Sequence, residues 1–114
     1  MKTTDLSYLL KIANGNNELI IEMIDIFVIQ VEEMWNEMQY LNHKKDYESL
    51  GNLAHKAKSS VAIMGMNNLS EILKKLEISC RNHTDIEIYQ DIINNFKAVC
   101  LMAIEELQNY KLNH

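Results

Sequence analysis

The chain of 114 residues contains no proline and only three glycines, Gly15, Gly51 and Gly65. Proline removes a backbone donor and glycine favours turns, so their scarcity leaves long segments free to form helices. The sequence also lacks the runs of β-branched and aromatic residues that are typical of strands. These absences favour an all-α fold over any fold built on a sheet.

Cysteine and long apolar runs are scarce as well. Cys80 and Cys100 lie far apart without CxxC spacing, which argues against a zinc site or a disulfide framework and predicts two buried thiols. The first residues, "MKTTDLSYLL", lack the apolar stretch of a signal peptide, and the run "AVCLMAI" is too short to cross a bilayer. We therefore expect a cytoplasmic protein with no membrane span.

The formal net charge of -5 argues against nucleic acid as a partner, because phosphate contacts need a basic surface. The charge is unevenly distributed along the chain. Residues 44–83 contain seven basic and four acidic side chains, whereas acidic side chains are in excess before and after this segment. The central segment is thus expected to attract an acidic partner.

Turn signals divide the chain into one short and four long helices. The pattern "NGNN" ends the first helix, with Gly15 suited to a left-handed stop and an asparagine to the next N-cap. Thr84 or Asp85 is predicted to cap the last helix. The predicted helices cover about 5–13, 17–42, 46–64, 67–83 and 85–110.

Apolar residues recur at three- and four-residue steps along each long helix, which indicates one buried stripe per helix. In the second helix the stripe comprises Ile20, Met23, Ile24, Phe27, Val31, Met34, Met38 and Leu41. The first helix is expected to cover further apolar residues of the second (Leu19, Ile21, Ile26 and Val28) with Leu6, Leu9 and Leu10. Residues 1–114 are therefore predicted to form one domain, an antiparallel four-helix bundle with a short additional N-terminal helix.

The segment "AHKAKSSVAIMGM", residues 54–66, places a histidine among small and basic residues. At about 100° per residue, His55 lies roughly 140° from the centre of the apolar stripe and is expected at the surface. Its neighbours one and two turns away are small: Gly51, Ser59 and Ala62. Glycine inside a helix costs about 0.5–1 kcal/mol relative to alanine, and we interpret Gly51 as leaving room for a partner against the imidazole.

Charged residues surround this histidine in the predicted bundle. Lys58 follows one turn later, so its ammonium can reach an anion carried by the ring. In the next helix, Glu77 and two basic residues share one flank of the apolar stripe, the basic residues being Lys74 and Arg81. If that flank faces His55, Glu77 can accept from one ring nitrogen and leave the other free to attack, while the basic residues add positive potential.

The segment "LAHKAKSSVAIMGMNNL" resembles the signature of histidine-containing phosphotransfer (HPt) domains, in which a lysine follows the histidine by three residues and a glycine lies near the helix end. Two further segments, "DLSYLLKIANGNNELIIEMIDIF" and "LEISCR", are similar to other parts of that family. The resemblance implies that His55 accepts a phosphoryl group from the aspartyl phosphate of one receiver domain and passes it to another. It also implies that Glu77 takes the place of a polar residue bonded to the ring, often glutamine, and that Arg81 is a basic residue near the site.

The sequence contains no "GxxxxGK" or other Gly-rich phosphate loop, which predicts a phosphoryl carrier without ATP-dependent kinase activity of its own. No cofactor is expected in the chain, since the receiver domain would supply both Mg²⁺ and the acceptor aspartate. A monomer is the simplest expectation for such a carrier.

Three alternatives compete with this interpretation. His55 could be an ordinary solvated histidine, which is the common case for a lone helical histidine. A di-iron carboxylate bundle would require inward-facing Glu-x-x-His pairs, and the sequence contains none. The chain could instead be a helical adaptor that docks receiver domains or other proteins without carrying phosphate, although His55 and Lys58 are both present.

Overall fold

The computed structural model describes residues 2–114, which form five α-helices and no strand. The helices are α1 (Ser7–Ala13), α2 (Asn17–His43), α3 (Tyr47–Ile63), α4 (Asn67–Asn82) and α5 (Tyr89–Asn113), with a 3₁₀ turn over Ile86–Ile88. Helices α2 to α5 are joined by short loops and run antiparallel. Each packs against two neighbours in the ring α2, α3, α4 and α5, which confirms the predicted four-helix bundle with a short N-terminal helix.

The core contains the apolar stripes that the spacing predicts. In α2 seven of the eight predicted residues are buried, and the exception, Met23, packs against the core from a partly exposed position. The α3 stripe that contains Leu50, Ala54, Ala57 and Val61 is fully buried. Cys80 and Cys100 are also buried free thiols, as expected for two cysteines without a partner.

Local signals explain most of the helix ends. Asn14 and Gly15 both have positive φ and end α1, and the Asn16 side chain then accepts from the Leu19 backbone as the N-cap of α2. Asp46 caps α3 in the same way by accepting from the Ser49 backbone. These contacts confirm the stop at "NGNN" and the asparagine cap.

The start of α5 differs from the prediction. Its first residue is Tyr89, and neither Thr84 nor Asp85 provides a side-chain cap. His83 and Asp85 both have left-handed backbones, with φ of 54° and 56°, so the chain turns twice before a helix can continue. The Tyr89 hydroxyl donates to the Thr84 carbonyl at 2.6 Å, which ties this turn to the first residue of α5.

Helix α1 covers less of α2 than the sequence predicts. Leu9 and Ala13 are buried and Leu6 packs against the core, but Leu10 is exposed. Leu19 and Ile26 of α2 are exposed too, so the prediction that α1 covers them is wrong. A helix of seven residues is only about 10 Å long and cannot cover the flank of a 27-residue helix.

The segment before α1 is fixed to two other parts of the bundle. The Thr3 and Thr4 backbone N–H groups donate to the Glu106 carboxylate of α5, and the Thr4 hydroxyl also donates to it. The Asp5 N–H donates to the Met64 carbonyl at the end of α3. Gly65, with φ of 73°, lies directly against the Asp5 backbone.

Candidate functional site

His55 lies in the middle of α3 with its side chain 59% exposed, although its neighbour Ala54 is fully buried. The predicted surface position of His55 is therefore confirmed, because the ring is exposed and does not lie among the apolar stripes. Its position beside α4 brings the ring against one side chain of that helix. The accessible imidazole defines the centre of the site.

The Nδ1 atom of His55 lies 3.0 Å from Oε2 of Glu77. Glu77 is buried, with only 11% of its side chain exposed. An ionised carboxylate can only accept hydrogen bonds, so the hydrogen of this contact belongs to Nδ1. In a neutral ring the Nε2 atom then carries a free lone pair.

Two cations share the same carboxylate. The Lys58 Nζ donates to Oε1 of Glu77 at 3.1 Å. Arg81 lies one turn after Glu77 on α4 and donates to Oε2 from Nη2 at 2.9 Å and from Nε at 3.3 Å. Glu77 is therefore the centre of a cluster in which His55, Lys58 and Arg81 all bind one buried carboxylate.

Burial and pairing act in opposite directions on Glu77. Burial disfavours the charged carboxylate and on its own would raise the pKa, but hydrogen bonds from Arg81, Lys58 and His55 outweigh it. Together these effects lower the pKa of Glu77 from 4.5 to about 2. The carboxylate is ionised at neutral pH and keeps its role as an acceptor for the ring.

Gly51 is buried between α3 and α4, which corrects its predicted place in a docking surface. A Cβ atom at this position would lie 3.1 Å from Cys80 Cβ and 3.6 Å from the Glu77 carbonyl oxygen. The missing side chain thus allows the two helices to approach closely and does not leave room for a partner. Gly51 influences the site indirectly. It allows the close approach of α4, and α4 carries Glu77.

The remaining predicted residues lie around the cluster without joining it. Ser59 is exposed and its hydroxyl lies 3.5 Å from the His55 carbonyl, while Ala62 is half-buried on the same helix. Lys74 is exposed and makes no ion pair within residues 2–114, so the structure does not bring it to His55. The small patch beside the ring consists of Ser59 and Ala62.

Two contacts of the site were not predicted from the sequence. The pairing of Arg81 with Glu77 follows from their four-residue spacing, which puts side chains of opposite charge side by side on a helix. The Ser70 hydroxyl donates to the Lys58 backbone carbonyl at 3.3 Å and joins α4 to the turn of α3 that carries the lysine. The sequence has no signal for this contact.

Two cavities lie away from His55. A cavity of about 730 Å³ lies between α1 and the C-terminal part of α5, and another of about 470 Å³ lies between α4 and α5. His55 lines neither of them. The site is an open surface, so any reaction that must exclude water needs a partner to cover the ring.

Two features are absent from residues 2–114. No cluster of three or more histidine, cysteine, aspartate or glutamate side chains in this range is arranged to hold a metal ion. No helix in the same range is both long enough and apolar enough to span a membrane.

Comparison with known proteins gives one significant result. No curated protein and no solved structure matches the chain closely enough to count as a relative. The sequence model of the Hpt domain matches residues 22–110, which include α3, α4 and every residue of the Glu77 cluster. The match covers well over half of the chain and agrees with the helical bundle, and we conclude that the chain belongs to the Hpt domain family.

Proposed function

We propose that the chain is a phosphorelay intermediate that carries a phosphoryl group on Nε2 of His55 between aspartates of receiver domains. Membership of the Hpt domain family implies histidine phosphotransfer, and the proposal adds the residue, the atom and the partners. The contact between His55 Nδ1 and Glu77 is the observation that carries it. It leaves Nε2 of an exposed ring with a free lone pair.

The proposed step needs no proton transfer by the chain. The Nε2 lone pair attacks the phosphorus of an aspartyl phosphate, an N–P bond forms, and the P–O bond to the aspartate carboxylate breaks. The proton on Nδ1 stays there, so the phosphorylated ring acquires a formal positive charge. Glu77 accepts from that N–H and opposes the new charge with its own, an electrostatic stabilisation that is already in place before the reaction.

Lys58 is the cation proposed to stabilise the phosphoryl group. It lies three residues after His55 on the same helix, and its side chain is about one quarter exposed. Phosphoryl transfer depends mainly on positioning and on neutralising the charge of the transferred group. Lys58 provides part of that neutralisation, and the receiver domain provides the aspartate and its own Mg²⁺.

The carrier role, without autokinase activity, follows from what the chain offers. The site presents a nucleophile and a cation on an open face, and no Gly-rich phosphate loop occurs in the sequence. Receiver domains are the expected partners because their acidic pockets complement the basic excess in residues 44–83. A cytoplasmic location and a monomeric state remain predictions of this proposal.

The test is phosphotransfer from purified receiver domains that have been loaded with acetyl phosphate. The expected product is an acid-labile, base-stable phosphorylated chain that passes its label to a second receiver. His55→Gln should abolish the label, whereas His83→Gln, which alters another exposed histidine, should not. Receiver binding without any label on the wild-type chain would contradict the proposal and would identify the chain as an adaptor.

A further inference from the structure

Glu77 binds more cations than one carboxylate requires. Its Oε1 atom accepts from Lys58, while its Oε2 atom accepts from both Arg81 and His55. In this state the ammonium of Lys58 is directed to Glu77. A phosphoryl group on Nε2 of His55 would be a second anion within reach of the same lysine, so Lys58 has two competing partners.

Lys58 can leave Glu77 only if another cation stays paired with the carboxylate. The Glu77 side chain is only 11% exposed, and a buried carboxylate without a cation is strongly disfavoured. Arg81 is that cation, because two of its nitrogens bind Oε2 and neither contact depends on Lys58. The Arg81 side chain is 54% exposed, so much of its cost of desolvation is avoided.

We propose that Arg81 is a positioning residue that keeps Glu77 paired while Lys58 moves its ammonium from Glu77 to the phosphoryl group on His55. The inference rests on the proposed phosphorylation of His55 and adds the exchange of partners that accompanies it. Before phosphorylation, Lys58 and Arg81 both pair with the Glu77 carboxylate. Afterwards, Arg81 pairs with the carboxylate and Lys58 pairs with the phosphoryl group, so each anion has a cation.

The surrounding contacts confine this exchange to one side chain. Ser70 holds the Lys58 backbone carbonyl, and Gly51 keeps α3 and α4 in close contact, so the helices need not move. The lysine stem is long and flexible, whereas the planar guanidinium of Arg81 binds its oxygen through two nitrogens. The flexible cation is therefore the one that exchanges.

Potassium phosphoramidate tests the exchange on the full chain without a receiver domain. Its phosphoryl group moves to Nε2, its P–N bond breaks, and its nitrogen leaves as ammonia after taking up a proton from water. Phosphorylation should shift the ¹⁵N signal of the Lys58 ammonium in the wild-type protein. In Arg81→Gln that signal should stay in place, and phosphorylation should slow by about tenfold, the size expected for loss of a charge-assisted hydrogen bond.

Two further variants separate this role from a merely structural one. Lys75→Gln, which removes an exposed charge on the far side of α4, should behave as the wild type does. In a Glu77→Gln background the neutral amide needs no cation, so adding Arg81→Gln should cause no further slowing. Circular dichroism checks that each variant is folded.

The outcomes distinguish this inference from the proposed function. A wild-type chain that reacts at His55 while Arg81→Gln reacts equally fast would overturn the exchange and leave the carrier role intact. The exchange would also be overturned if Arg81→Gln slowed phosphorylation by the same factor whether residue 77 is glutamate or glutamine. Arg81 would then act directly on the phosphoryl group. A wild-type chain that is phosphorylated neither by phosphoramidate nor by any receiver would reject both.

Discussion

The Nδ1 atom of His55 and the Oε2 atom of Glu77 are 3.0 Å apart, although one side chain is mostly exposed and the other is buried. This contact joins the surface of α3 to the interior of the α3–α4 interface. It fixes which ring nitrogen carries hydrogen and leaves the other without one in a neutral ring.

Replacing Glu77 should slow phosphorylation of His55 in a graded way. Glu77→Gln keeps an oxygen that can accept from Nδ1–H but removes the charge that opposes the cationic ring, whereas Glu77→Leu removes both. We expect Glu77→Leu to slow the reaction by about 10- to 100-fold, as for other partners that orient a histidine, and Glu77→Gln to lie between. The phosphorylation rates of the three proteins with phosphoramidate, followed by ³¹P NMR, test this ranking. A leucine variant that is folded and as fast as the wild type would show that Glu77 does not assist the ring.

Glu77 should also make the fold sensitive to acid. Its pKa is lowered from 4.5 in the unfolded chain to about 2 in the folded one, so the unfolded state binds the proton more tightly. The stabilisation is complete above pH 4.5 and is lost as the pH falls towards 2. It amounts to about 3 kcal/mol at most.

Urea unfolding of the wild type and Glu77→Gln at several pH values isolates this contribution. The other carboxylates titrate in both proteins, so they cancel in the difference between the two free energies of unfolding. That difference should shrink between pH 4.5 and pH 2 and stay constant above pH 5. A difference that does not change with pH would contradict the lowered pKa.

Gly51 should tolerate little added volume. Alanine gains about 1 kcal/mol in helix propensity but places a methyl group 3.1 Å from Cys80 Cβ, and such overpacking costs about 1–3 kcal/mol. Gly51→Ala should therefore be neutral to mildly destabilising, whereas Gly51→Leu should lower the free energy of unfolding by more than about 2 kcal/mol. Asn52→Leu, which alters the next and exposed residue, is the control. Equal stability of the two leucine variants would contradict the close α3–α4 contact.

Two glycines with nearly equal backbones allow a matched test of the N-terminal contact. Gly15 has φ of 76° and open space around it, while Gly65 has φ of 73° and lies against the Asp5 backbone. Alanine at either position incurs about 1–2 kcal/mol of left-handed strain, but only Gly65→Ala also displaces residue 5. Thermal unfolding should show the larger loss for Gly65→Ala. Equal losses would mean that the segment before α1 adds nothing at this point.

Much of this fold is predictable because the chain contains few residues that stop a helix. The spacing of Ile24, Phe27 and Val31 marks a buried stripe, and the same geometry places His55 away from the stripe of α3. The start of α5 was not predictable in this way. The residues near 84 predict a break between two helices, but nothing in the sequence shows that His83 and Asp85 both adopt left-handed backbones and delay α5 to Tyr89.

The site was predictable only in part because it depends on how two helices face each other. A wheel puts Lys74 and Arg81 on the same flank as Glu77, yet only Arg81 reaches it. Side chains on a helix lean towards its N-terminus, so Arg81 leans back over Glu77 while Lys74 leans away from it. Gly51 lies at the edge of the apolar stripe of α3, where a residue can face either a partner or a neighbouring helix. Only the packing of α4 shows that it faces the helix.

The most direct test of the account is to identify the nitrogen of the chain that is phosphorylated. ¹H–¹⁵N NMR of the imidazole groups, recorded before and after reaction with phosphoramidate, distinguishes Nδ1 from Nε2 in each of the four histidines. We predict an N–P bond at Nε2 of His55 with the hydrogen retained on Nδ1. Phosphorylation at Nδ1 of His55, or at another histidine in its place, would contradict it.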